Sequence, residues 1–223
     1  MDLLDEIYDA IIDGKQDIVV SKIKEALKDH IQPEIIMNEG LILGLDEVGR
    51  LYEEGTFFVP DMLIAARTMQ AALKLLRPLL VKEGMKPIGK DAIGTVQGDL
   101  HDIGKNLCIM MLRGSGFVVE DLGVDTKPEE FIDAIVEHDA KILGMSALLT
   151  TTMPNMGRVI EAFEDEGLRE EVSIMVGGAP VTQEFAEDMG ADGYGEDAIA
   201  CVDMAKLLLG IGSAAHGPSA PVT

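Results

Sequence analysis

Tryptophan is absent from the 223 residues, aromatic side chains make up only 4% of them, and 18 basic residues face 40 acidic ones. Each shortage excludes something. With so few aromatics the core has to be filled by Leu, Ile, Val, Ala and thirteen Met, the last being flexible fillers and adaptable contact surfaces. A formal net charge of −22 repels phosphate backbones and anionic lipid, so nucleic acid and membrane surfaces are excluded as partners, whereas a basic protein surface would be steered in. The only cysteines, Cys108 and Cys201, lie far apart, which fits a reducing cytoplasm. No apolar run is long enough to span a bilayer, and no charged-then-apolar leader is visible. What is present is apolar content of 47%, enough for a real core in one large domain or two modest ones.

The rhythm of that apolar content divides the chain. From Asp2 to about Glu83 apolar residues recur at helical spacing: Leu3, Leu4, Ile7 and Ile11; Val19, Ile23 and Leu27; Ile35, Leu41, Leu45 and Val48; Leu63, Ala66, Met69, Leu73 and Leu76. Breaks at Asp13-Gly14, near Ile31-Gln32-Pro33 and at Glu53-Glu54-Gly55-Thr56 predict four amphipathic helices packed as an antiparallel bundle over residues 1–83. Gly, Pro and charge without periodicity mark 84–91 as a linker, within the stretch EGMKPIGKD. Beyond it, short apolar runs alternate with helical patterns. Strands are predicted at Ala92–Val96, Val118–Asp121, Ile142–Met145, Ser173–Val176 and near Gly193. Helices are predicted near Ile103–Arg113, Pro128–Glu137, Thr152–Glu166, Thr182–Met189 and Asp197–Leu209. Such a βα array implies a Rossmann-like (flavodoxin-like), doubly wound parallel five-stranded sheet over 92–210, with ligands at the carboxyl ends of its strands. Residues 211–223 lack a core pattern and read as a mobile tail.

The stretch TVQGDLHDIGKN, residues 95–106, places Gly98, Asp99, His101, Asp102, Ile103 and Gly104 on that rim, in the loop after the first strand. A dinucleotide site would want G-x-G-x-x-G here so that backbone could approach a pyrophosphate, and this loop puts an imidazole in the way. A zinc site would need three or four converging ligands, yet His30, His138 and His216 show no ligand spacing to His101. Two readings stay open on the residues alone: one metal bond from one His, or a loop histidine bonded to its neighbour Asp99.

The loop is not isolated. Forty-one residues lie between Gly104 and Ser146, which opens SALLTTTM, and twenty-eight between Leu148 and Gly177, which opens GGAPV; both segments follow predicted strands. The spaced set D-x-H-x-x-G, S-x-L, G-G resembles the signature of cobalamin-binding domains of the methionine synthase and corrinoid methyltransferase type. RLYEEGTFFVPDMLIAARTMQAAL, residues 50–73, resembles the end of the helical bundle that caps the corrin in those proteins. Over about residues 1–210 the chain is most similar to stand-alone corrinoid proteins of anaerobic methyltransferase systems.

That resemblance implies a cobalamin held base-off/His-on, with His101 as the lower ligand of cobalt in place of dimethylbenzimidazole. Asp99 would hold the other ring nitrogen, and Thr152 would continue the relay, with Thr where methionine synthase has Ser. Gly104 and the helix from Ile103 would leave room for the displaced nucleotide tail. Ser146 and Leu148, with Thr150 nearby, would line its slot, and Gly177 and Gly178 would bring backbone against it. Tyr52, Val59 and Met62 match residues that shield the upper face, a Tyr and a Met replacing Phe and Val. The implied function is a methyl carrier of one-carbon metabolism, a component of a multi-protein system. A substrate-specific methyltransferase would pass the methyl group to Co(I). A second methyltransferase would move it from methyl-Co(III) to tetrahydrofolate or a thiol coenzyme, and a reductive activator would be a further partner. The alternatives are a cobalamin-dependent sensor or regulator, which would usually carry a DNA-binding domain, and the small subunit of an adenosylcobalamin-dependent mutase, which should lack the cap.

Overall fold

Spacing of apolar residues decides the first half of the computed structural model, which describes residues 2–82 and 86–211. Four stretches of helix form, as the periodicity requires. α1 (Leu3–Ile12) and α2 (Gln16–Lys28) turn at Asp13-Gly14 and bury Ile7, Ile11, Val19 and Ile23 completely. The third stretch is irregular: α3 (Pro33–Ile35) and α4 (Leu43–Glu53) are joined without a break by the π-wound segment Ile36–Ile42. Gly40 and Gly44, one turn apart, face α1. A Cβ on Gly40 would come 3.0 Å from Ile7 Cγ2, and one on Gly44 3.0 Å from Ile11 Cβ. Two absent side chains thus make the groove that receives the two isoleucines of α1. α5 (Val59–Lys82) starts where the Asp61 carboxylate accepts the Phe58 N–H at 2.8 Å, a cap for an otherwise unpaired first-turn amide.

The second half is a parallel sheet of β1 (Lys90–Thr95), β2 (Val118–Asp121), β3 (Ile142–Ser146), β4 (Ser173–Gly177) and β5 (Gly193–Gly195), in spatial order β2-β1-β3-β4-β5. Five helices alternate with the strands: α6 (Ile103–Gly114), α7 (Pro128–His138), α8 (Pro154–Asp165), α9 (Gln183–Asp188) and α10 (Ala198–Leu208). Thr95, Ser146 and Gly177 are aligned partners across β1, β3 and β4, and Gly177 is aligned with Gly195 of β5, so the carboxyl ends form one row. On one face Phe131, Ala134 and Ile135 of α7 and Met156, Val159, Ile160 and Phe163 of α8 pack with Ala92, Val96, Leu143 and Val176 into a single apolar core. Each of the larger side chains among them, removed from water, contributes about 1.5–3 kcal/mol before conformational entropy is set against it.

From β1 the chain runs outward to β2 on one side and to β3 on the other. The loops after β1 and β3 therefore diverge, leaving a crevice at their carboxyl ends. By contacts the chain divides into two compact units, one within Met1–Ile88 plus Ile109–Val119, the other within Gly89–Cys108 plus Glu120–Thr223. Residues 84 and 85 of the expected linker, and 212–223 of the expected tail, lie outside the described residues. Among the described residues no helix is long and apolar enough to cross a membrane.

Candidate functional site

The loop after β1 turns at Gly98, whose φ of +83° is open to glycine and strained for most other residues. The Gly98 N–H donates to Asp125 Oδ1 at 2.6 Å, the Asp99 N–H to the Val96 carbonyl at 3.1 Å, and the Thr95 hydroxyl to the His101 carbonyl at 2.9 Å. The loop is thereby tied to β1 on both sides of Asp99. Asp102 starts α6: its carbonyl accepts the Asn106 N–H and its carboxylate the Asn106 side-chain amide.

Asp99 is completely buried and joins the two diverging loops. Its Oδ1 takes His101 Nδ1 at 2.7 Å and the His101 backbone N–H at 3.1 Å. Its Oδ2 accepts the Thr152 hydroxyl at 2.7 Å and the backbone N–H groups of Leu148 and Leu149 at 2.8 and 3.2 Å, all from the loop after β3. Burial by itself would raise this carboxyl. The bonds from Thr152, from the His101 ring and from the backbone of Leu148 and His101 outweigh it and hold the group well below the ordinary carboxylate range. An ionised carboxylate only accepts, so the proton between the two residues sits on His101 Nδ1 and the lone pair of the neutral ring is on Nε2. Half of the His101 side chain remains exposed, 50% against 0% for its partner. The arrangement is an oriented imidazole donor with its acceptor side fixed.

Around it the rim is apolar yet exposed: Leu100 at 71%, Ile103 at 85%, Leu148 and Leu149 each above 40%. Among the described residues no three His, Cys, Asp or Glu converge as a metal site. An added Cβ on Gly104 would meet no atom within 4 Å, so the first turn of α6 borders open space. Gly177 and Gly178 differ in kind. A Cβ on Gly177 would lie 2.9 Å from the Gly195 carbonyl, and one on Gly178, at φ +133°, 1.9 Å from the Ala147 carbonyl; the sheet's own backbone requires both.

The fold thus brings Gly98, Asp99, His101, Thr152 and Leu148 into one bonded cluster, with Asp102, Ile103 and Gly104 on the adjoining turn and exposed Thr150 on the turn before Thr152. Ser146 ends β3 half-buried, its carbonyl accepting the Val96 N–H. In the bundle, Tyr52 is half-buried near the end of α4 and Val59 is exposed at the start of α5, beside an exposed Phe58 that the sequence reading did not single out. Met62 is buried at 1% among the bundle's helices. Sequence reasoning also missed Asp125, Leu100 and Leu149. The Leu149 contribution is a backbone amide, which no side-chain pattern announces; Leu100, an apolar residue in a polar loop next to the histidine, was a readable signal.

Two B12 binding domain families match the chain, one over residues 89–202 and the other over 3–77. A corrinoid protein of Desulfitobacterium hafniense (strain Y51) is 41% identical over 213 residues, covering 94% of this chain and 99% of its own. Dimethylamine corrinoid protein 3 of Methanosarcina acetivorans is 43% identical over 207 residues, covering 93% and 97%. Among solved structures, the methanol:cobalamin methyltransferase complex of Methanosarcina barkeri matches with a TM-score of 0.81 at 30% identity, over 93% of this chain and 80% of that one. With a folded rim of this geometry and matches along nearly its whole length, the chain belongs to the B12-binding corrinoid proteins.

Proposed function

We propose that this protein is a corrinoid methyl carrier that binds its cofactor base-off, with His101 Nε2 as the lower ligand of cobalt. The observation that carries this reading is the bonded series Thr152, Asp99, His101, each link 2.7 Å long, ending in a half-exposed ring whose free nitrogen must be Nε2. A lone imidazole suits a metal whose other positions are filled by a macrocycle. The exposed apolar rim of Leu100, Ile103, Leu148 and Leu149 suits the face of such a ring, and the space beside Gly104 suits a group passing into the domain. Gly98, Asp102, Ser146, Thr150, Gly177 and Gly178 complete the contact set on this reading.

When bound, the corrinoid supplies a cobalt centre that can take up a methyl group and give it up again. The chain's residues do the rest. Asp99 keeps Nδ1 protonated and adds negative charge behind the ring, which strengthens Nε2 as a donor. By the family resemblance, Tyr52, Val59 and Met62 of the bundle would be the residues that keep solvent from the cofactor.

Partners follow from the carrier role. One methyltransferase delivers the methyl group, a second removes it to tetrahydrofolate or a thiol coenzyme, and a reductive activator restores oxidised cofactor, all in the cytoplasm. The relatives named for dimethylamine and the methanol complex make small methylated amines and alcohols the donors to try first. The test is electron spin resonance of the Co(II) form after reconstitution with hydroxocobalamin. Splitting from one axial imidazole nitrogen, lost in His101→Ala, is expected; an unchanged spectrum in the variant would overturn the assignment.

A further inference from the structure

Asp91 is 1% exposed in β1, and neither of its carboxylate oxygens has a hydrogen-bond partner. Burial pushes this carboxyl up to about 8, so it carries its proton at neutral pH. A buried polar group without a partner is rare in folded proteins and demands a reason.

Its position supplies one. Ala92 and Val96 point into the α7/α8 core and Gly94 faces Phe131, so strand alternation sends Asp91, Ile93 and Thr95 to the opposite face. There Asp91 lies within electrostatic reach of Cys201 on α10, and Cys201 neighbours Cys108 on α6. Cys108 stands one helical turn beyond Gly104 and is only half-buried. α6 thus runs from the open space at Gly104 past Cys108 on the side of the sheet where Asp91 is buried. Four strand residues of ~3.3 Å each put Asp91 about 13 Å below Thr95 and the rim.

The geometry points to Asp91 as the residue that reads the lower base of the bound cobamide, its carboxyl O–H donating to the ring nitrogen that base-off binding leaves without cobalt. The inference rests on the corrinoid reading above. It names the chemical class accepted at the inner end of the slot, a nitrogen heteroaromatic of the benzimidazole or purine kind. A phenolic base offers no such acceptor, and a cobinamide has no base. Of the titratable groups around the carboxyl, Cys108 and Cys201 are thiols that donate weakly, Asp197 acts only as a more distant charge on them, and the buried Lys105 ammonium is engaged by Asp121 and Asn106. None competes with the carboxyl as a donor.

The test compares equilibrium binding of hydroxocobalamin, p-cresolyl cobamide and cobinamide to the full chain and to Asp91→Val and Asp91→Asn. The parent is expected to favour cobalamin over the phenolic cobamide by about five- to tenfold, one net hydrogen bond's worth. Asp91→Val loses that preference with cobinamide affinity unchanged, and Asp91→Asn, which keeps an N–H donor, retains most of it. In the infrared, the protonated-carboxyl band assigned by its absence in Asp91→Asn shifts on adding cobalamin and stays put with cobinamide. An unshifted band, or equal preference in parent and Asp91→Val, would overturn the role of Asp91. Failure of cobinamide to show the His101 signal would instead strike at the corrinoid reading itself.

Discussion

Replacing Asp91 by Asn in the ligand-free protein removes an ionisable group and changes side-chain volume little. The group's ordinary value is 3.8, and burial raises it to about 8 in the folded chain. The folded state therefore prefers the protonated acid, while the unfolded chain ionises freely above 3.8, so stability falls as pH rises between those values and levels off above the higher one. At ~1.36 kcal/mol per pH unit, the roughly three units between 3.8 and pH 7 amount to about 4 kcal/mol, a large share of a typical domain's stability. Urea denaturation of both proteins at pH 4, 5.5, 7 and 8.5 measures the difference. The Asn variant should gain on the parent by more than 1 kcal/mol for each pH unit up to about 8, and no further beyond it. Parallel stability curves would show that Asp91 is solvated or paired, and would remove the argument that its burial needs a ligand.

Further perturbations address the other parts. Asp99→Asn should weaken the bonds from Leu148, Leu149 and Thr152 and cost at least about 2 kcal/mol in ligand-free protein at pH 7. Because the Asp99 carboxyl is depressed in the folded state, the stability it contributes is present above the ordinary carboxylate range and lost as pH falls through the lower folded value, so the two proteins should converge only in strong acid. The same substitution should shift the Co(II)/Co(I) potential of the reconstituted protein in a reductive titration; an unchanged potential would reduce Asp99 to a loop tie. Gly178→Ala forces a Cβ against the Ala147 carbonyl and should lower Tm by many degrees, whereas Gly104→Ala, facing open space, should leave Tm unchanged and weaken cobalamin binding. Tyr52→Ala with Val59→Ala should hasten light-driven decay of bound methylcobalamin with little effect on the fold. Met62→Ala, in the buried bundle core, should cost about 2–5 kcal/mol of stability, read by thermal melting.

The alternation of short apolar runs with amphipathic stretches determined by itself that the second half is a parallel βα sheet, because period-2 and period-3.6 burial are local properties of the chain. The same logic gave the four helical stretches of the first half, and the spacing of Asp99, His101, Ser146 and Gly177 gave the family. Other features depend on residues that meet only after folding. The π-wound Ile36–Ile42 interrupts no apolar pattern, and the fit of Gly40 and Gly44 against Ile7 and Ile11 depends on which helix packs there. The sequence could pair Asp99 with its neighbour His101, but the amides of Leu148 and Leu149 reach it only because β1 and β3 are adjacent at the point where the sheet order reverses. That adjacency also fixed the charge of Asp99 and the tautomer of His101. Asp91 makes the contrast plainest: in sequence it follows Lys90 at the end of a charged linker and reads as exposed. Strand pairing of Asp91 with Ile142, and α10 packing over the opposite face, bury it instead, because strand registry sets burial and no single residue's polarity can overrule it.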